Sequence, residues 1–202
     1  MMSGRTGSWL ERTAWTLLCA LIFSLPFEKG IQFPGLGTVS HVLGLAAFVA
    51  GVAVVVQRRG LRRPNAALLL AAAFVLWEGL TWLWSYSRPA TAVRFATLAQ
   101  LLAMTVLIWE LCRTRAAQLR LIQAYVAGAA VSSVWTILRA ALHFQTNYRR
   151  FATAGFDPND LGITLAIALA MALYLNVRIR GPAVWLVRLA AAAIIEALLL
   201  TG

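Results

Sequence analysis

The chain has 202 residues, 61% of them hydrophobic, a mean hydropathy of +0.76 and a formal net charge of +11. Soluble domains carry roughly 45–50% apolar residues, so this composition excludes an ordinary soluble protein and leaves no stretch for a separate soluble domain. The charge is almost all arginine, set in short loops between apolar runs, which is the topogenic pattern of a membrane protein and argues against nucleic acid as a partner.

Seven apolar runs reach the length needed to span a bilayer, about 17–25 residues. They lie at about 10–27, 38–56, 66–86, 90–111, 119–142, 160–177 and 183–201. The predicted fold is all-α, a polytopic helical membrane protein of about seven transmembrane helices forming a single membrane domain over 1–202. The first run follows Arg5 and Arg12 like a signal peptide. No small-residue cleavage site follows it, so it reads as a retained signal anchor. Cys19 and Cys112 lie in or at the end of apolar runs and suggest packing, with neither a disulfide framework nor a metal site. Gly37, Gly44 and Gly51 recur every seven residues and predict a small-residue strip that lets another helix approach.

The third and fourth runs are joined by the tight Ser87-Arg88-Pro89 turn and form a predicted hairpin. Trp77, Trp82, Trp84 and Tyr86 crowd its outer end as an interfacial aromatic belt; stacking on sugar rings is the alternative use of such residues. With the N terminus inside, the cytoplasmic side receives Arg5, Arg12, Arg58, Arg59, Arg62, Arg63, Arg113, Arg115, Arg120, Arg178, Arg180 and Arg188. The opposite side receives Lys29, Arg88, Arg94, Arg139, Arg149 and Arg150. The first set is twice the second, which places the N terminus in the cytoplasm.

Glu78, Arg94 and Glu196 fall within spans. An unpaired charge there costs roughly 2.5–3.5 kcal/mol on insertion scales, so such residues pair or line a cavity. Glu78 and Arg94 differ in depth by roughly 6 Å at about 1.5 Å per residue, within side-chain reach. They are expected to form a structural ion pair or, with Glu196, the polar wall of a cleft. Glu110 and Arg113 read as an interfacial i,i+3 pair. His41 and His143 read as structural residues. No nucleophile–base constellation, zinc pattern or phosphate-cradling glycine loop is present, and no cofactor or metal is implied.

The segment Arg149-Arg150-Phe151-Ala152-Thr153-Ala154-Gly155-Phe156-Asp157-Pro158-Asn159-Asp160-Leu161-Gly162 is polar and lies between two apolar runs. Asp157 suits an N-cap, Pro158 the first helical position, and Asp160 a reciprocal cap. A capped membrane helix accounts for these four residues. Arg139, Arg149 and Arg150 add guanidinium groups that bind phosphate bidentately, and a helix N terminus favours anions. Together they suggest a site for a lipid diphosphate, opposed by the negative Asp157 and Asp160.

The order Trp84-Ser85, Arg88-Pro89, Arg94, then Arg150 with Asp157-Pro158-Asn159 and Gly162, and finally Leu198-Leu199-Leu200-Thr201-Gly202, resembles the O-antigen ligase and polymerase superfamily of bacterial envelope enzymes. The Gly155-Phe156 order departs from the commoner form. The resemblance implies the N-terminal half of a glycosyltransferase of the C type in the bacterial cytoplasmic (inner) membrane. Such an enzyme takes glycan from an undecaprenyl-diphosphate carrier at the periplasmic face and passes it to lipid A–core, a growing glycan or a protein. Family members continue past Thr-Gly with Ser-Arg and a large periplasmic loop carrying further basic residues, so the chain is expected to lack the main catalytic loop. Arg150, Arg149 and Arg94 would neutralise the diphosphate. A transporter or flippase for a lipid-linked solute, and a non-catalytic membrane scaffold, are the competing expectations.

Overall fold

A computed structural model describes residues 9–30, 32–33, 37–142, 152 and 156–201. Its elements are α1 (Trp9–Ser24), a 3-10 segment (Leu25–Gly30), β1 (Gln32–Phe33), β2 (Gly37–Thr38), α2 (Val39–Arg58), α3 (Ala66–Leu80), a 3-10 turn (Thr81–Leu83), α4 (Arg88–Leu111), α5 (Arg115–Leu142), α6 (Pro158–Arg178) and α7 (Ala183–Thr201). Among the described residues, seven helical segments are long and apolar enough to cross a membrane, and the protein is an all-α, multi-pass membrane protein. The two strands form a minimal antiparallel ladder pairing Gln32 with Thr38 and Phe33 with Gly37.

Two boundaries differ from expectation. The first run extends in sequence to about residue 27, but α1 ends at Ser24. Pro26 explains this: it lacks an N–H and disfavours helical backbone in the residue before it. The chain continues as 3-10 turns with a break at Phe27, where φ is −131° and ψ is 23°. Gly37 belongs to β2, outside the helix that carries Gly44 and Gly51. The buried face of α2 is instead Ser40, Gly44, Ala47, Gly51 and Val54, spaced by three or four residues, as one helix face requires.

The chain divides into two compact units. Unit 1 comprises Met1–Trp15 and Phe48–Arg113, and unit 2 comprises Thr16–Ala47 and Thr114–Gly202.

In unit 1, α3 and α4 pack as a hairpin. Asn65 caps α3, its side chain accepting the Leu68 N–H at 2.9 Å. Gly51 lets α2 meet Leu107 of α4 closely, since a Cβ there would fall 1.9 Å from Leu107 Cδ1. Little else of the hairpin is covered: Val75 is the buried residue of α3, and Leu107 and Glu110 those of α4. Phe74, Trp77, Val93 and Leu101 are exposed, as expected where the surrounding solvent is hydrocarbon.

In unit 2, α5, α6 and α7 enclose the larger core. Leu161, Leu165, Ala168, Ala172 and Leu175 form the buried face of α6, against Val187, Ile194 and Ala197 of α7 and Val126 and Ala129 of α5. Small residues bring these backbones together, which is how helices associate without a hydrophobic driving force between them. At Gly128 the end of α1 crosses α5: a Cβ there would lie 2.0 Å from the Phe23 carbonyl oxygen. Ser24, fully within this packing, donates to the Leu21 carbonyl at 2.8 Å and pairs with the Ser40 hydroxyl at 3.0 Å.

Candidate functional site

The helix start at Asp157 forms as the sequence predicts. Asp157 has extended backbone (φ −71°, ψ 139°), its carboxylate accepts the Asn159 N–H at 2.9 Å, and Pro158 opens α6. The Leu161 N–H returns to the Asp157 carbonyl at 3.0 Å. Asp160 sits in the first turn, and its carbonyl accepts the Thr164 hydroxyl at 2.9 Å. The cap changes the expected chemistry. The Asn159 donor is already held by a carboxylate, and a second carboxylate stands in the same turn, so the helix N terminus offers little to an anion.

Arg149 and Arg150, with His143, lie outside the described residues. Arg139, at the end of α5, donates from Nη1 to the Ala152 carbonyl at 3.2 Å. It thereby ties the approach to α6 to the end of α5, with Ala152 itself part of the unit 2 core. That bond engages one edge of the guanidinium in holding backbone.

Glu78 and Arg94 meet within the α3–α4 hairpin, Arg94 Nε lying 3.0 Å from Glu78 Oε1. The Glu78 side chain is 15% exposed and that of Arg94 72%. The pair therefore joins the two helices with the carboxylate sheltered and the guanidinium outward. Glu196 is exposed on α7, on the side turned from Ile194 and Ala197, and no ion pair among the described residues involves it. The expected cleft residues thus fall in different units, Glu78 in the first and Glu196 in the second. Among the described residues no group of three or more His, Cys, Asp or Glu side chains has metal-holding geometry.

Among the described residues, Glu110 makes more polar contacts than its i,i+3 spacing to Arg113 foretells. Glu110 is buried, and its carboxylate takes the Arg113 guanidinium at 2.9 Å and the backbone N–H of Arg62. Its carbonyl accepts from Arg58 Nη1 at 3.3 Å, and Arg58 Nε reaches Glu11 Oε1 at 2.9 Å. The Arg62 guanidinium stacks over Trp109, 3.9 Å from the ring centroid. This knot fastens the α2–α3 connection to the end of α4. The i,i+3 relation to Arg113 is legible in sequence; the bond to Arg62, 48 residues away, is not.

The turn between α3 and α4 is also ordered by side chains. The Ser85 and Thr91 hydroxyls pair at 2.6 Å, and the Ser87 N–H donates to Ser85 Oγ at 3.2 Å. Arg88 lies over Trp82, 5.1 Å from its ring centroid, and Trp77 meets Trp84 edge to face.

Comparison with known protein families, curated proteins and solved structures finds no match.

Proposed function

We propose that this chain forms part of a membrane enzyme that transfers or polymerises glycan from an undecaprenyl-diphosphate carrier at the outer face of the bacterial cytoplasmic membrane, in the manner of O-antigen ligases and polymerases. The observation that carries the reading is the Asp157-Pro158-Asn159-Asp160 helix start, which follows Arg149 and Arg150 in the sequence after a short intervening segment, 151–156. The arginine excess on the other set of loops supports an outward-facing position for it. Arg150, with Arg149, neutralises the diphosphate; Arg94, which the resemblance grouped with them, is engaged by Glu78. A departing diphosphate needs fixed positive charge where its own negative charge develops, and arginine supplies two parallel donors to it. Asp157 orients the segment by capping α6, and Arg139 holds the chain that leads into it. The acceptor is lipid A–core, a growing glycan or a protein.

The test is complementation of a strain lacking the gene, with Arg150→Ala and Arg150→Lys at matched membrane levels. The expected result is loss of surface glycan in both variants with accumulation of the lipid-linked precursor. Normal glycan in both reduces the segment to a helix cap and overturns the reading.

A further inference from the structure

We propose that the α3–α4 hairpin holds an anionic glycerophospholipid of the bilayer, with its phosphate at Arg88 and an acyl chain in the groove between the two helices. The groove has a volume of about 630 Å³ and is lined by Leu76, Gly79, Leu80, Trp82, Ala92 and Phe95. No charged side chain lines it. Arg88, Ala92 and Phe95 follow an i, i+4, i+7 spacing and so share one face of α4, with Arg88 at the turn end. The guanidinium lies 5.1 Å over the Trp82 ring, and Trp82 is itself part of the groove wall, which puts the cation at the mouth. A guanidinium stacked on an aromatic face keeps its in-plane N–H donors free for a phosphate.

Among the described residues the charge at this mouth is uncompensated. Of the two acidic residues of the hairpin, Glu78 is engaged by Arg94 and Glu110, at the far end of α4, by Arg113. Arg94 is two positions from Ala92, about 200° around the helix at 3.6 residues per turn, and so faces away from the groove. Among the described residues no carboxylate pairs with Arg88. The turn joins two membrane-crossing helices and carries Trp82, Trp84 and Tyr86, the residues that settle at headgroup level. A lipid phosphate is found at that depth and its chains run towards the midplane, the direction in which Leu76 and Phe95 extend the groove from Arg88. A soluble anion would leave the groove unfilled, an uncharged lipid would leave the Arg88 charge unmatched, and a zwitterionic lipid would bring its own cation to the same mouth. The proposal is independent of the glycan-transfer reading's diphosphate site and uses neither Arg149 nor Arg150.

The experiment is native mass spectrometry of the whole protein, delipidated and reconstituted in phosphatidylcholine containing a minor share of phosphatidylglycerol. The expected result is selective retention of phosphatidylglycerol, reduced about tenfold by Arg88→Gln, the size expected for one charge-assisted contact. Arg180→Gln removes the same charge at an exposed site elsewhere and leaves retention unchanged. Ala92→Phe fills the groove with Arg88 intact and also lowers retention. A phosphatidylglycerol carrying a photoreactive group on its acyl chain labels peptides of α3 and α4 above those of the other helices. Equal loss in Arg88→Gln and Arg180→Gln, equal retention of phosphatidylcholine, or labelling spread evenly along the spans each shows annular lipid only and overturns the proposal. Competition by glycerol phosphate with no change in Ala92→Phe reduces the site to a headgroup contact and overturns the acyl-chain groove.

Discussion

Five residues of α6 are buried at a spacing of three or four, Leu161, Leu165, Ala168, Ala172 and Leu175, whereas α3 buries Val75 alone. The α5–α6–α7 region is held by close backbone approach over small side chains, and its buried polar groups are hydroxyls that bond their own helix, as Ser133 does to the Ala129 carbonyl at 2.8 Å. The α3–α4 hairpin has almost no such core. It is joined by discrete polar and aromatic contacts: Glu78 with Arg94, Ser85 with Thr91, and Glu110 at the far end of α4. Packing in the first region is distributed and tolerant of losing one polar bond. In the second, a single polar residue carries a large share of the order.

The largest test of this contrast is Gly128→Leu in α5. Its Cβ would meet the Phe23 carbonyl oxygen at 2.0 Å, and backbone cannot rotate aside. Overpacking of this kind costs about 1–3 kcal/mol and more where backbone must move, so the expected outcome is loss of most folded protein, read as monodisperse yield and thermal midpoint in detergent. A near-normal midpoint would mean that small-residue packing is not what holds unit 2.

Next is Glu110→Ala, expected to cost about 1–3 kcal/mol because it leaves the Arg62 N–H without its acceptor. Glu110→Gln keeps an acceptor and should lose about half as much. Limited proteolysis between Arg59 and Asn65 should rise in the alanine variant first. Unchanged cleavage there would show the hairpin to be ordered by something other than this knot. Smallest is Asp157→Ala, which removes one cap and costs about 1 kcal/mol. It should raise hydrogen exchange in the first turn of α6 while the core positions from Leu165 onward stay protected. Loss of protection along the whole helix would place α6 among the weakly packed elements and dissolve the contrast.

The seven spans were legible because runs of apolar residues report directly on burial in lipid. The α6 start was legible for a different reason: Asp157 and Pro158 act on backbone within three residues of themselves. The Glu78–Arg94 pair followed from depth along two helices joined by a short turn. What stayed hidden depends on which helix faces which. Nothing local marks Gly128 as the crossing point of α1, although the run Ala127-Gly128-Ala129-Ala130 with Ser132-Ser133 is the small-residue signal that was there to be used. The bond from Glu110 to the Arg62 backbone has no sequence spacing at all. In the candidate site the cap was readable, and so was the opposition of its carboxylates to an anion. That Asp157 consumes the Asn159 donor, and that Arg139 spends an edge on the Ala152 carbonyl, came only with the geometry.

The early end of α1 at Ser24 has a consequence for how the chain crosses the bilayer. Sixteen residues of α-helix extend about 24 Å at 1.5 Å per residue, short of a hydrocarbon core of about 30 Å; the 3-10 turns that follow complete the span, which runs Trp9–Glu28. The 28 residues of α5 extend about 42 Å by the same rise and exceed that core. A span longer than the hydrocarbon answers by tilting, so α5 is expected to cross at a slant, whereas the first span reaches across by changing helix type.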